Sequence, residues 1–134
     1  MDFFEEHHNT LDEDFCKHVI EKFENDSNCF PGETGEGVNK EIKDSTDLCF
    51  YGDTNWEKED KIFYDSLSKY TTPYIQKYYN DRIWNANVQS YDTGYQIQRT
   101  TPEQTGYVWH HDSLSSLNRN NEVSARIITF LWYL

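Results

Sequence analysis

Apolar residues recur about every fourth position over residues 11–25, which is the spacing of one face of an amphipathic helix. Thr10 and Glu13 precede and open this segment in the T-x-x-E order of a capping box. The pattern predicts a first helix that buries one apolar stripe. The stripe consists of Leu11, Phe15, Cys16, Val19, Ile20 and Phe23.

A second helical pattern follows over residues 56–80, after a Gly-, Asn-, Asp- and Ser-rich stretch that indicates loops and one short strand near 47–51. Thr54 and Glu57 offer another capping box. Pro73 falls inside the pattern, so we expect a kink or two helices that meet near Thr72. The apolar face consists of Phe63, Leu67, Tyr70, Tyr74 and Tyr78.

From Trp84 onward the period of the apolar positions falls from about four to two, which indicates strands. The last predicted strand is apolar on both faces from Ile127, as in a strand at the centre of a sheet. Two helices followed by consecutive strands predict a single α+β domain over residues 1–134, helical over 11–80 and with a β core over 84–134. The predicted strands are 87–91, 95–100, 107–112 and 123–134, with a polar loop over 113–122.

Composition and charge narrow the classes of function. Aromatic residues make up 16% of the chain, which is typical of a folded domain and not of an acidic disordered tail. The formal net charge of −12 disfavours nucleic acids and anionic lipid as partners. No apolar run approaches the roughly 20 residues that a membrane span needs.

Localisation is predicted from the N-terminus and the cysteines. The acidic start of the chain lacks the basic and apolar regions of a signal peptide. Three cysteines, Cys16, Cys29 and Cys49, are an odd number without metal-type spacing, so reduced thiols in a cytoplasmic protein are the simplest interpretation. A Cys29–Cys49 bridge stays open as an alternative.

The candidate chemistry lies in residues 107–112. Alternate residues of a strand point to one face, so His110 and Asp112 project together while His111 projects to the other side. An imidazole nitrogen beside a carboxylate oxygen makes two-thirds of the 2-His-1-carboxylate triad that binds non-haem Fe(II). The bare H-x-D spacing is a weak signal, because a solvated His and Asp at the end of a surface strand have the same pattern.

The surrounding sequence resembles the prolyl-4-hydroxylase-like branch of the 2-oxoglutarate/Fe(II) oxygenases. The Tyr-x-x-His-x-Asp signature of that family is matched by residues 107–112, and its apolar strand from Arg to Tyr-Leu is matched by residues 126–134. Residues 94–100 fit the strand before the signature, and residues 11–16 look like the first helix of the family. The specific match covers residues 94–134.

The resemblance implies a fold and a site. The fold would be N-terminal helices packed on a partial double-stranded β-helix, a jelly-roll sheet like that of cupins. His110 and Asp112 would be catalytic and would be the first two ligands of the metal, Fe(II). Tyr133 would bind the co-substrate 2-oxoglutarate; Tyr107 of the signature and Thr129, which shares a strand face with Tyr133, are the other cofactor-binding candidates.

The implied activity is that of a dioxygenase which uses Fe(II), 2-oxoglutarate and O2, with ascorbate to keep the iron reduced. Its substrate would be a C–H bond of a peptidyl residue, prolyl among them, or of a free amino acid. The partner is therefore a peptide, a protein or a small molecule, and we expect the loop over residues 113–122 to contact it. The sequence does not indicate an oligomeric state.

The second histidine ligand of the family, and its 2-oxoglutarate-binding Arg or Lys, come well after the H-x-D motif. No histidine follows Asp112 here, His111 is predicted to face away, His18 lies on a helix, and His7 and His8 lie in a segment expected to be mobile. We therefore expect residues 1–134 to be the N-terminal part of a longer or split enzyme, and inactive alone.

Two other functions agree with the same residues. One is a cupin-like metal-binding module without oxygenase activity, although cupins usually supply a second His where Asp112 stands. The other is a non-catalytic, acidic interaction domain. Tight Zn(II) binding without a response to 2-oxoglutarate would favour the first, and failure to bind any divalent metal would favour the second.

Overall fold

The computed structural model describes residues 3–79, 92, 94–112, 115–117, 123–126 and 128–134. The strand predicted over residues 87–91 lies outside these ranges. The chain divides into two compact units. Unit 1 comprises Met1–Cys29 and Leu48–Ile97, and unit 2 comprises Phe30–Asp47 and Gln98–Leu134.

The fold is mixed α+β, as predicted, with two helices and short antiparallel sheets in the described ranges. The three-stranded sheet comprises, in order, Phe30–Pro31, Thr46–Cys49 and Gln96–Arg99. The two-stranded sheets pair Lys43–Asp44 with Gly106–Tyr107 and Ser115–Leu117 with Val123–Ala125. Three of the strands lie between the two helices in sequence, and one of them, Thr46–Cys49, overlaps the short strand predicted near residues 47–51. The elements are α1 Glu13–Glu24, β1 Phe30–Pro31, β2 Lys43–Asp44, β3 Thr46–Cys49, a 3-10 turn Thr54–Trp56, α2 Glu57–Tyr79, β4 Gln96–Arg99, β5 Gly106–Tyr107, β6 Ser115–Leu117 and β7 Val123–Ala125.

Helix α1 is capped by Asp12 and not by Thr10 as predicted. The Asp12 carboxylate accepts hydrogen bonds from the backbone N–H groups of Asp14 and Phe15, at 2.9 and 3.3 Å. A carboxylate at this position satisfies two free N–H groups and also complements the positive end of the helix dipole. The predicted apolar stripe is confirmed at its centre, where Val19 and Phe23 are buried.

Helix α2 is one continuous helix with Pro73 inside it, so the predicted junction near Thr72 is wrong. Its leading 3-10 turn is capped by Asp53, which accepts a hydrogen bond from the N–H of Asn55, one residue before the predicted Thr54 cap. Within the described ranges, no helix combines the length and the apolar character that crossing a bilayer requires.

The N-terminal segment, residues 3–10, runs along α2, contrary to the prediction of a mobile tail. An ion pair of 2.6 Å joins Glu5 to Lys77, and the hydrogen bond from Lys77 lowers the pKa of Glu5. Three further contacts complete the set: the Tyr74 hydroxyl donates to the carbonyl oxygen of Phe3, the His7 ring packs on Tyr70, and the Ser66 hydroxyl donates to the carbonyl oxygen of Thr10.

Unit 1 has an aromatic core. Phe50 stacks on Trp56 with 5.1 Å between the ring centroids, and Phe63 lies 5.9 Å from Phe50. The Trp56 indole N–H donates to the Asp26 carboxylate at 2.8 Å, so this large ring is buried without losing its hydrogen bond. No disulfide bond joins the three cysteines. The buried apolar residues are Val19, Phe23, Leu48, Phe50, Trp56, Phe63 and Ile75.

Unit 2 has a polar interior. Its buried residues, among those that the structure describes, are Gly32, Lys43, Ser45 and Asp47. Strands β2 and β5 pair antiparallel with Lys43 opposite Tyr107, and the Val108 N–H extends the pairing by donating to the carbonyl oxygen of Ile42 at 3.0 Å.

The C-terminal predictions need correction. Of the strand predicted over 123–134, only Val123–Ala125 is a strand, and it pairs with Ser115–Leu117 inside the segment predicted as a polar loop. Leu131 and Tyr133 are 73% and 92% exposed, so the second half of the segment is not a buried central strand. An apolar run becomes a central strand only where both edges are paired, and no described strand pairs with residues 128–134.

Candidate metal centre

The Tyr-x-x-His-x-Asp motif, residues 107–112, begins at the end of strand β5 and lies at the surface of unit 2. The strand ends at Tyr107, and residues 108–112 continue without regular secondary structure, so the strand predicted over 107–112 is wrong beyond its first residue. His110 and Asp112 nevertheless converge. The Nε2 atom of His110 lies 3.5 Å from the Oδ1 atom of Asp112, and both side chains are partly exposed.

The hydrogen bond of the other imidazole nitrogen determines which tautomer His110 adopts. Its Nδ1 atom lies 2.8 Å from the carbonyl oxygen of Val108. A carbonyl oxygen can only accept, so Nδ1 carries the proton and donates it. In the neutral ring, Nε2 then keeps its lone pair, and it is this nitrogen that lies 3.5 Å from Asp112. A metal-binding histidine is commonly held in this way, through a hydrogen bond from its second nitrogen.

The phenol ring of Tyr107 supports the imidazole from one face. The two ring centroids are 3.6 Å apart and the planes differ by 20°, so the rings are stacked. A stacked ring restricts rotation of the imidazole about its side-chain bonds. Tyr107, predicted as a cofactor-binding residue, therefore directly contacts one of the two predicted metal ligands.

Among the described residues, Thr129 and Arg126 also contact Asp112. The Thr129 hydroxyl donates to Oδ2 at 3.2 Å, which brings a second predicted cofactor-binding residue to the site. The Arg126 guanidinium lies 3.1 Å from Oδ1, the oxygen that faces His110. Sequence analysis placed Arg126 at the start of an apolar strand and did not identify it as a partner of Asp112. The sequence does show a positively charged residue after the motif, but only the path of the chain shows that its ion-pair partner is Asp112.

The two donor atoms fit a divalent metal ion. Atoms 3.5 Å apart can both lie about 2.1 Å from one ion, the usual length of a metal–nitrogen or metal–oxygen bond. One imidazole nitrogen with one carboxylate oxygen is also a donor set that non-haem Fe(II) accepts. Among the described residues, however, no third His, Cys, Asp or Glu joins them in a group that could hold a metal.

The remaining candidates lie elsewhere. Tyr133, the predicted 2-oxoglutarate-binding residue, is almost fully exposed, and none of the contacts given for His110 or Asp112 involves it. His111 is exposed next to the pair. His18 belongs to unit 1, where its Nε2 atom lies 2.7 Å from the buried carboxylate of Glu59.

A cleft of about 560 Å³ in unit 1 is lined by His18 and Lys22, among other polar residues. The Glu59 carboxylate beside it is already bound by both of these side chains, with Lys22 at 2.8 Å. Burial raises the pKa of Glu59, but the hydrogen bonds from His18 and Lys22 outweigh burial and lower it. The carboxylate is thus ionised, and both of its oxygens are bound by side chains of the protein. We therefore interpret this cluster as structural.

Comparison of the chain with known proteins identifies no relative that carries a similar site. No family model, no curated protein and no solved structure matches the chain. The interpretation of the site therefore depends on the geometry of the pair His110 and Asp112, on its three neighbours, and on the sequence motif that contains it.

Proposed function

We propose that this chain carries the His-x-Asp part of the iron site of a prolyl-4-hydroxylase-like, Fe(II)- and 2-oxoglutarate-dependent dioxygenase. The observation that supports the proposal is the approach of His110 Nε2 to Asp112 Oδ1 at 3.5 Å, with His110 Nδ1 engaged by a carbonyl oxygen. The intact enzyme would hydroxylate a C–H bond of a peptidyl residue, prolyl first among them, or of an amino acid. A jelly-roll sheet completed by further strands is part of the same proposal.

In this proposal the residues that contact His110 and Asp112 support them as metal ligands. His110 and Asp112 hold the ion, Tyr107 fixes the plane of the imidazole, and Thr129 orients the carboxylate by binding its second oxygen. When bound, Fe(II) supplies the oxidising chemistry that uses O2 and 2-oxoglutarate, with ascorbate as its reductant. Such precise support is what raises the affinity of a ligand pair above that of two free side chains.

Arg126 must yield part of its contact when a cation binds. Its guanidinium and the metal would both approach Oδ1 of Asp112, and two positive charges at one oxygen repel each other. Arg126 is exposed, so it can swing into solvent or keep contact with the outer side of the carboxylate. Freed in this way, it is a cation beside the metal that suits the carboxylates of 2-oxoglutarate.

Cobalt(II) binding tests the proposal, because Co(II) accepts the same donors and its visible spectrum reports the number of ligands. The chain is titrated with Co(II) in the presence of 1-methylimidazole, which offers a third nitrogen ligand. We expect weak binding that 1-methylimidazole and 2-oxoglutarate each tighten, and a loss of at least about ten-fold in affinity in His110→Ala and in Asp112→Ala.

His111→Ala is the matched control, since it removes the adjacent exposed imidazole and should leave the affinity unchanged. Binding that survives Asp112→Ala, or that is indifferent to 2-oxoglutarate, would overturn the proposal. Activity is tested separately in the intact enzyme, where succinate formation from 2-oxoglutarate should disappear in His110→Ala. We expect no succinate from residues 1–134 alone, because two protein ligands hold Fe(II) poorly.

The second candidate is a non-catalytic, acidic interaction domain. It is favoured by the ion pair between Arg126 and Asp112, which satisfies the carboxylate without any metal. In that case no Co(II) spectrum develops in the wild-type chain or in Arg126→Ala, with or without 1-methylimidazole. The two candidates therefore give opposite results in the same titration.

A further inference from the structure

A cluster of three polar side chains forms the interior of unit 2. Lys43, Ser45 and Asp47 alternate along one extended segment, so they share one face. The Lys43 ammonium lies 2.5 Å from Oδ2 of Asp47, and the Ser45 hydroxyl donates to Oδ1 at 2.7 Å. Lys43 is 3% exposed and Asp47 is fully buried, so both charges have left water and depend on each other.

The backbone around the cluster is built to fit it closely. Gly32 donates its N–H to the carbonyl oxygen of Ser45 at 2.8 Å. A Cβ atom at residue 32 would lie 2.2 Å from the Ser45 hydroxyl oxygen and 3.2 Å from Cε of Lys43. Glycine is therefore needed at residue 32, because the side chains of Lys43 and Ser45 pack directly against its backbone.

The cluster is joined directly to the His-x-Asp motif. Lys43 and Tyr107 are opposite each other in the β2-β5 pair. The Lys43 ammonium also lies 5.4 Å from the centroid of the Tyr107 ring, within the range of a cation–π contact. Tyr107 in turn stacks on His110, so one line of contacts runs from the buried ion pair to the imidazole.

We propose that Lys43, held by Asp47 and Ser45, is a positioning residue that fixes the Tyr107 ring and through it the imidazole of His110. The proposal rests on the metal-binding function proposed for His110 and Asp112. The buried ammonium attracts the ring face and, together with the β2-β5 hydrogen bonds, restricts the ring to the orientation that stacks on the histidine. The metal ligand is thus aligned from inside the protein, where water does not compete.

Stability alone does not explain the arrangement. A buried ion pair gains little over apolar residues of the same volume, because desolvation of the charges offsets most of their attraction. In the described part of unit 2, the buried side chains are nevertheless those of this ion pair and of Ser45, whereas those of unit 1 are mostly aromatic and aliphatic. A fixed charge beneath an aromatic ring is a means of orientation that an apolar side chain lacks.

NMR spectroscopy of the chain tests the positioning directly and without a metal. Stacking on Tyr107 should shift the ring protons of His110 upfield, and an NOE should connect the Lys43 ε-protons with the Tyr107 ring. We expect the upfield shift to be lost in Tyr107→Leu and in Lys43→Met/Asp47→Asn, which removes both buried charges together. Tyr107→Phe should keep the shift, because the ring remains.

Lys40→Met is the matched control, since Lys40 lies in the turn just before Lys43 and its side chain is exposed. This variant also replaces a lysine by methionine, and it should leave the upfield shift of the His110 ring protons unchanged. A purely structural role for Lys43 would lower the urea midpoint of Lys43→Met/Asp47→Asn and leave the His110 shift of the folded protein unchanged. That result would overturn the proposal, and so would the absence of the NOE in the wild-type chain, which needs no variant to fold.

Cobalt affinity separates this inference from the function on which it rests. If both hold, Lys43→Met/Asp47→Asn binds Co(II) about three- to ten-fold more weakly than wild type, as expected for loss of a group that supports a ligand. If the wild-type chain shows the NOE and the ring shift but binds no Co(II), the positioning by Lys43 is supported and the metal function is rejected. Unchanged Co(II) binding in the variant rejects the positioning and keeps the metal function.

Discussion

The guanidinium of Arg126 lies 3.1 Å from the same oxygen of Asp112 that faces His110. An arginine and a metal ion therefore compete for one carboxylate oxygen. Because both partners of the ion pair are partly exposed, the pair contributes no more than about 1 kcal/mol, which is about a five-fold factor in an affinity.

Arg126→Ala should therefore bind Co(II) about two- to five-fold more tightly than the wild-type chain. The titration in 1-methylimidazole measures the change. Arg99→Ala is the control, because Arg99 also belongs to unit 2 but contacts Thr46. Weaker binding in Arg126→Ala would show that the arginine supports the site and does not compete for it.

Glu59 should make the stability of the protein depend on pH. Its pKa in the folded protein lies below the ordinary value of 4.5, because hydrogen bonds from His18 and Lys22 outweigh the effect of burial. A carboxylate with a lowered folded pKa stabilises the fold above its unfolded pKa, and that contribution is lost as the pH falls through the folded value. We expect wild type to exceed Glu59→Gln in stability at pH 7, and the difference to shrink below pH 4.5.

Urea unfolding at a series of pH values measures this difference. Glu57→Gln is the matched control, since Glu57 is an exposed glutamate in the first turn of the same helix. The control should differ from wild type by no more than about 0.3–1 kcal/mol, the contribution of an exposed first-turn carboxylate to the helix dipole. A difference between wild type and Glu59→Gln that stays constant from pH 7 to pH 3.5 would contradict the prediction.

Gly32→Ala should destabilise the protein by about 1–3 kcal/mol. The new methyl group would meet the Ser45 hydroxyl at 2.2 Å and force it away from Asp47, which costs the buried carboxylate its hydrogen bond from Ser45. Gly35→Ala is the control, because nothing lies within 4 Å of a Cβ atom there. Urea midpoints measure both variants.

The clash with Ser45 can be tested by a double-mutant cycle. Ser45→Ala removes the oxygen atom that the new methyl group meets, so Gly32→Ala should cost less in that background than in wild type. An equal cost in both backgrounds would mean that strain elsewhere in the segment, and not the Ser45 hydroxyl, makes glycine necessary.

Pro73→Ala should stabilise α2. Proline has no N–H to donate to the carbonyl of Lys69, and its ring crowds that carbonyl, yet the helix continues through it. Alanine restores the bond, for an expected gain of about 1–3 kcal/mol and a rise in Tm of several degrees. Thr72→Ala changes helix propensity alone and should gain at most about 0.6 kcal/mol. A lower Tm in Pro73→Ala would show that the proline relieves some other constraint.

The helices were predictable because their signal is local. The four-residue spacing of apolar residues located α1 and α2, and Val19, Phe23 and Phe63 are buried as that spacing requires. The caps were missed by one or two residues, since Asp12 and Asp53 compete with nearby threonines for the same N–H groups. Local spacing cannot decide between two adjacent acceptors.

The sheets and the site were less predictable because they depend on partners distant in sequence. The apolar run at 127–134 has the composition of a central strand, but composition cannot supply the strands that would pair with it. The contact of Arg126 with Asp112 likewise follows from the chain path. The cluster of Lys43, Ser45 and Asp47 left no periodic signal, because residues 43–47 are polar at every position. A polar run of this kind is typical of an exposed loop, and only the structure shows that three of its side chains are buried.

The N-terminal segment binds α2 through residues about 70 positions later in the chain, such as Glu5 with Lys77. During synthesis, residues 3–10 must therefore wait until the end of α2 has emerged before they can dock on it. The apolar Phe3 and Phe4 stay accessible to chaperones throughout that interval. A bulky group placed directly before Phe3 would hinder this docking and so weaken the contacts that hold residues 3–10 on α2.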